Sequence, residues 1–483
     1  MNELPSTITA AAALLRRRET SAVELADLAL RAAHGDKFNT WLLLSDERAK
    51  AQARAADERL RTGDAPLLCG IPWACKDIIG TKGVATTAGS KILEGYVPPY
   101  SATVVERLDA EGAVMMGKTN LDEFAMGSSN ENSAFGPVKN PWRIDRVPGG
   151  SSGGSAVAVA AGQALFALGT DTGGSIRQPA ALTGVVGMKP TYGRVSRYGV
   201  VAFASSLDQV GPFGNTVEDC AIVCEALFGK DPSDATTMPL PKEDLRRELD
   251  RGVKGLRIGV PKEFFVEGME KGVERAVRDA LRELERQGAE LVDVSLSLTD
   301  HGLAVYYLIQ PAEASANLAR YDGVRYGLRV EGPDLLETYR RTRGKGFGAE
   351  VKRRMILGTY ALSAGYYDAY YVKAQKVRTL IKQEFDRVFE KVDAIVTPTS
   401  PGVAFKIGQK VDDPLSMYLN DIFTLPVNIS GLPGISLPCG LSEGLPVGLQ
   451  VIANSYQEAM MFRVAAAYER GTKHHELRPE VAA

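Results

Sequence analysis

Near the start of the chain, apolar positions recur every three to four residues. Ser21-Ala-Val-Glu24 spells a capping box opening a helix over ELADLALRAA, and Ser45 to Arg61 continues as a charged amphipathic helix. From Leu67 the pattern changes to short apolar runs broken by Gly and Pro (LLCGIPWACKDIIG, AVMMGKT), which alternate with helix-like stretches such as ATVVERLDAEG. That alternation predicts a mixed α/β sheet. Thr216 to Phe228 reads as a helix, RIGV at 257–260 as a strand, and EKGVERAVRDALRELERQG as a long amphipathic helix. Residues 301–390 read as mostly helical and rich in Tyr and Arg. Strands return in DAIVTP, GISLPCG and VGLQVIA, ahead of a last helix near 456–470. There is no internal repeat and no domain-splitting linker. Strands at both ends therefore predict one large α/β domain over 1–483, with a central mixed sheet flanked by helices. Its expected parts are an N-terminal helical region (about 1–65), a core (about 66–230), a helical cap (about 300–390) and C-terminal strands and helix (about 391–475).

Residues 127–193 carry 13 Gly and seven Ser in 67 positions. A flexible linker would be similarly rich, but would lack AVAVAAGQALFAL, an apolar block that has to be buried. The segment reads as a packed core with many close backbone approaches.

Composition narrows the picture. With 57 basic against 59 acidic residues, a net charge of −2 and 45% hydrophobic residues, the chain is globular. Long disorder and a nucleic-acid coat are excluded. The N-terminal stretch pairs acidic Glu3 with an arginine run after its apolar part, the reverse of a secretory signal. The apolar run Ala156 to Leu168 is too short to span a bilayer. The sequon Asn428-Ile-Ser430 is then a chance match, and a cytoplasmic location is expected. Cys69, Cys75, Cys220, Cys224 and Cys439 are odd in number and scattered, as buried free thiols would be. Only four His are present, His34, His301, His474 and His475. Chemistry in the long stretch between the first two runs without a nearby imidazole.

Three motifs carry candidate chemistry. Gly112-Ala-Val-Met-Met-Gly117-Lys118-Thr119 matches a P-loop pattern and, taken literally, predicts a nucleotide-binding module. Its context opposes that. It follows a helix-like stretch, and its middle residues are apolar like a strand interior, so Gly112 reads better as a helix C-cap. In Pro148-Gly-Gly-Ser151-Ser152-Gly-Gly-Ser155, glycines flank a serine pair and permit unusual backbone. In Asp171-Thr172-Gly173-Gly174-Ser175-Ile176-Arg177, two glycines before a serine suit a turn whose amides converge on an oxyanion, with Asp171 and Arg177 stapling its ends. A serine nucleophile needs a base. Either a distant His supplies it or Lys76 does, in the apolar run Trp73-Ala-Cys-Lys-Asp-Ile-Ile79. A lysine base requires burial to lower its pKa from about 10.4 towards 7–8. The bland alternative, Lys76 paired with Asp77 at the surface, stays open on spacing alone.

Lys76, the GGSSGGS block and DTGGSIRQPA, in this order, resemble the amidase-signature family. The resemblance implies a Ser–cis-Ser–Lys triad with Ser175 as nucleophile, Ser151 as bridging serine at a cis peptide and Lys76 as base. It also implies an oxyanion hole from the amides of Thr172, Gly173, Gly174 and Ser175. Longer blocks, among them KTNLDEFAMGSSNENSAFGPVKNPW and VKRRMILGTYALSAGYYDAYYVKAQKVR, are similar to the branch that hydrolyses glutamine within tRNA-dependent amidotransferases of translation. For that branch, Arg354 is expected on the glutamine α-carboxylate and Asp421 on the α-ammonium, with Tyr306 or its neighbour Tyr307 alongside. The expected partners are B and C subunits in a heterotrimer, with misacylated tRNA met through the complex. No cofactor or metal is expected in this chain, ATP and Mg being used by the partner, and no membrane. The near-zero net charge gives no sign of a grip on a tRNA backbone. A stand-alone amidase on other amides is the alternative.

Overall fold

The computed structural model describes residues 3–480, so the outermost limits of the expected domain, 1–2 and 481–483, lie outside the described residues. Among these, eleven strands form one sheet: β1 (Trp41–Leu44), β2 (Pro72–Lys76), β3 (Val114–Thr119), β4 (Phe166–Thr170), β5 (Val186–Lys189), β6 (Val210–Gly214), β7 (Arg257–Pro261), β8 (Glu290–Val294), β9 (Ala394–Pro398), β10 (Gly434–Ser442) and β11 (Leu445–Ile452). Their order is β1-β3-β2-β4-β6-β5-β10-β11-β9-β7-β8. The sheet is mixed, as the sequence pattern predicts. β2 runs parallel to both β3 and β4, whereas β4, β6, β5, β10, β11 and β9 pair antiparallel in turn. Strands β2, β3, β4, β9 and β11 are buried along their whole length, consistent with their unbroken apolar runs.

Predicted helices appear close to their expected limits, including Asp46–Thr62, Val217–Leu227, Lys271–Arg286 and Glu458–Gly471. Ser21 and Glu24 close the capping box as read from the sequence. One correction falls in the N-terminal region. It is not purely helical, because β1 lies within it and pairs with β3 at the sheet edge. Four residues between two strong helices are too few for periodicity to register. The 301–390 region is helical: Gly302–Asn317, Leu335–Gly346, Ala349–Ala361 and Lys373–Phe389.

The P-loop match dissolves in this architecture. Gly112 takes φ +79 just beyond the helix Thr103–Ala110, and Gly117-Lys118-Thr119 lie inside β3. Lys118 is fully buried, donates to the Ile79 carbonyl and lies 3.8 Å from Asp77. No amides are left exposed there to cradle phosphate. All five cysteines are free and buried. No helix among the described residues is long and apolar enough to cross a membrane.

Candidate active site

β2 and β4 are parallel neighbours, so their carboxyl ends emerge on one side of the sheet and carry Lys76 and Thr170. Lys76 is fully buried. Its Nζ makes three hydrogen bonds, to Ser151 Oγ (2.8 Å), Ser152 Oγ (2.7 Å) and Thr170 Oγ1 (2.8 Å). All three partners are neutral hydroxyls. Burial therefore goes uncompensated by an ion pair, and the Lys76 pKa falls to about 7, with Asp122, Asp171 and Asp208 opposing the fall. A drop of that size corresponds to a charging penalty of about 5 kcal/mol. The surface pair with Asp77 is thereby excluded: Asp77 is held by Thr87 and faces Lys118. A neutral amine has two donors and one lone pair, so one of the three hydroxyls donates to it. Ser152 is committed as donor to the Thr170 carbonyl (3.1 Å), whereas Ser151 Oγ has no other partner among the described residues.

Ser151 and Ser152 precede the helix Gly153–Ala160, and the Gly150–Ser151 peptide is cis. A Cβ at Gly150 would stand 2.1 Å from Asp122 Oδ2, so only glycine fits there. The Ser152 amide donates to the Ser175 carbonyl (3.3 Å), which sets Ser175 beside the serine pair. Ser175 Oγ has no hydrogen-bond partner among the described residues, and no bond links it to Ser151 Oγ. The structure thus joins Lys76 to Ser151 directly and brings Ser175 alongside.

The turn before Ser175 is locked from within and from the far end of the chain. Asp171 accepts from Arg177 Nε and Nη2, each at 3.0 Å, the staple expected from the sequence. Burial disfavours the charged Asp171 carboxylate, but Arg177 outweighs it and holds the pKa at about 2. Arg177 also donates to Gln450 (2.6 Å) and Asn428, while Asn428 Nδ2 donates to Asp171 (2.8 Å). Asn428 is a buried strut, consistent with its sequon being a chance match. One expectation needs correcting. The Gly174 amide donates to Asp171 Oδ1 (2.8 Å), so it is not free to meet an oxyanion. The carboxylate that staples the turn also draws this amide inward. The amides of Thr172, Gly173 and Ser175 have no protein acceptor among the described residues. Side chains at Gly173 and Gly174 are sterically barred: a Cβ would lie 2.8 Å from Tyr306 Oη and 2.2 Å from Thr424 Oγ1, respectively.

Arg354 comes from the helix Ala349–Ala361 in the cap and is buried. Its Nε donates to Glu350 (2.8 Å) and its Nη1 to Gln310 (3.0 Å), while its guanidinium lies over the rings of Tyr307 and Tyr418. Nη2 donates to no protein acceptor among the described residues. Asp421 is also buried. Ser128 donates to Oδ2, while Oδ1 has no partner among the described residues. Burial pushes the Asp421 pKa up to about 7, against the pull of Ser128 and Arg354. Gln178 ties the two sides together, accepting from the Gly150 amide (3.0 Å) and donating to the Ser128 carbonyl (2.8 Å). Tyr306 packs on Gly173, whereas Tyr307 stacks on Tyr418 beneath Arg354, so the adjacent tyrosines serve different ends of the site. Sequence reasoning missed Ser152, Thr170, Asp122, Gln178, Ser128, Glu350, Gln310 and Tyr418. Ser152 and Gln178 stood inside the glycine–serine motifs, and Asp122 and Ser128 inside one of the longer blocks already quoted. Among the described residues no cluster of His, Cys, Asp and Glu is placed to hold a metal ion, and no His hydrogen-bonds these side chains.

The family described as Amidase matches residues 25–462. The glutamyl-tRNA(Gln) amidotransferase A subunit of Roseiflexus castenholzii is 59% identical over 477 residues, 98% of this chain and 97% of that protein. The corresponding protein of Thermoanaerobacter pseudethanolicus, which bears the same name, is 57% identical over 463 residues, 95% of each. Among solved structures, the glutamyl-tRNA(Gln) amidotransferase A subunit of Thermotoga maritima superposes with a TM-score of 0.83 at 43% identity, covering 100% of both chains. A peptide amidase of Stenotrophomonas maltophilia reaches a TM-score of 0.84 at 32% identity, covering 99% of both.

Proposed function

This chain belongs to the amidase family, and from that premise we propose that it is the glutamine-hydrolysing component of a tRNA-dependent amidotransferase. Ser175 attacks the side-chain amide carbon of glutamine, and its proton passes through Ser151 to neutral Lys76. The amides of Thr172, Gly173 and Ser175 hold the tetrahedral oxyanion. Collapse expels ammonia, which takes the proton back from Lys76 through Ser151. Water then hydrolyses the γ-glutamyl ester over the same relay and releases glutamate.

The observation that carries the substrate is a pair of unused polar atoms, one on the cap helix and one on the C-terminal segment. The free Nη2 of Arg354 suits an α-carboxylate, and the orphaned Oδ1 of Asp421 suits an α-ammonium. Tyr306 closes the pocket over Gly173. By likeness to the amidotransferase relatives, the ammonia passes to a B subunit. There ATP and Mg serve the amidation of glutamate, and by extension of aspartate, carried on tRNA. A C subunit completes a cytoplasmic heterotrimer. The domain is read as one unit over 1–483, in which the 300–390 cap and the segment at Asp421 supply recognition and the core supplies chemistry.

The test is co-purification from the native source, followed by glutamine hydrolysis and tRNA transamidation assays with and without the recovered partners. Glutamine-dependent transamidation by the assembly is expected. Recovery of the chain alone, with hydrolysis of amides lacking a zwitterionic end, would establish the stand-alone amidase instead.

A further inference from the structure

The helix that carries Arg354 has no cap of its own. Its N-cap residue is Gly348, which offers no side chain, and the third helical position is Val351 rather than the Glu or Gln of a capping box. Glu350, in its first turn, commits its carboxylate to Arg354, Arg353 and Tyr418. The missing carboxylate arrives from 225 residues away: Glu123 Oε2 accepts the Gly348 amide at 2.8 Å. Glu123 is buried, and its Oε1 is held by the Ser90 hydroxyl. Its neighbour Asp122 faces the other way. The Asp122 amide donates to the Ser151 carbonyl (3.2 Å), and its carboxylate accepts the amides of Asn130 (2.9 Å) and Asn132 (3.0 Å). The two residues that follow, Phe124 and Ala125, sit at φ +51 and +61, a left-handed conformation that non-glycine residues adopt only where surroundings enforce it.

We propose that Glu123 is a positioning residue for glutamine, fixing the start of the helix 349–361 so that Arg354 is held in register with the Ser151 turn through the Asp122–Glu123 dipeptide. This rests on the glutaminase reading above. Glu123 touches no reacting atom, so its loss changes where the substrate end is held and leaves the proton relay intact.

The test measures glutamine KM and kcat on the full chain in its assembled complex. Glu123→Ala is expected to raise KM about 10-fold with kcat within about 2-fold. Glu123→Gln keeps an acceptor for the Gly348 amide and should stay within about 3-fold of the native KM. Gly348→Ala probes the same contact from the other side, because its Cβ would stand 2.4 Å from Glu123 Oε2; it should reproduce the KM rise even where Glu123→Ala fails to fold. In an Arg354→Ala background, Glu123→Ala should add no further rise, since both act through one guanidinium. A native KM in folded Glu123→Ala and Gly348→Ala, a fall in kcat at constant KM, or additive KM effects would each overturn the proposal. Arg354→Ala separates the two failures. If it raises KM while the Glu123 and Gly348 variants do not, only the positioning role falls. If it leaves KM unchanged, the glutamine pocket falls as well.

Discussion

The residues assigned to the chemistry stand on the sheet, whereas the residues assigned to holding the substrate stand largely on the helices packed over it, and the two sets are supported differently. Lys76 and Thr170 end adjacent parallel strands; Ser151 precedes a helix that packs against those strands, and Ser175 one that packs against β5, β10 and β11. Their side chains meet neutral hydroxyls and backbone. Arg354, Asp421, Tyr307 and Tyr418 come from segments up to 114 residues apart; Arg354 meets Glu350 and aromatic faces, whereas Asp421 meets the Ser128 hydroxyl. A proton relay needs a dry, uncharged lysine, and a charge near Lys76 would spoil it. Recognition of a zwitterion needs charged groups: Arg354 is paired with Glu350, whereas Asp421 is ionised only above about pH 7.

The sharpest way to break this contrast is to remove the chemistry while leaving the pocket. Ser175→Ala and Lys76→Ala should each cut glutamate release at neutral pH by about 10³-fold or more, with glutamine binding by Ser175→Ala retained. Near-normal turnover in either would remove the relay from the sheet.

The next test uses pH. Neutral Lys76 is the active form, so kcat should rise through about pH 7 and level off above it. In the free enzyme Asp421 also titrates near 7, and its ionised form binds the ammonium. Both groups are lost together on acidification. Below pH 7, log(kcat/KM) should therefore fall with a slope approaching 2, against a slope of 1 for log kcat. Equal slopes would mean that pocket and relay do not titrate separately.

The smallest effect is expected from the cap alone. Arg354→Ala should raise glutamine KM about 10- to 100-fold while changing kcat less. Arg354→Lys should recover little, because an ammonium lacks the planar guanidinium that lies over Tyr307 and Tyr418 while Nε and Nη1 reach Glu350 and Gln310. Full rescue by lysine would reduce the pocket to a point charge.

The same division explains what could be read from the chain. Ser151, Ser175 and the Asp171–Arg177 staple lie in short contiguous motifs, where glycine and serine placement alone suggests a crowded turn. The strands around them were legible as apolar runs. Arg354 and Asp421 emerged only through likeness to relatives, since one arginine in a basic helix has no local signature. Gln310, Tyr418 and Glu123 act across 44, 68 and 225 residues, distances that no periodicity encodes. The Gly174 amide was misassigned because a carboxylate three residues earlier reaches both Arg177 and the turn's own backbone. β1 escaped notice because four residues between helices leave too little pattern.

The strand order also has a consequence for the chain while it is being made. β10 and β11 are synthesised last yet sit between β5 and β9, and β7, β8 and β9 reach the rest of the sheet only through β11. The locks on Arg177 at Asn428 and Gln450 arrive with the same late segment. A nascent polypeptide still short of residue 450 therefore holds every residue of the proposed relay but lacks one of the struts that fix its turn.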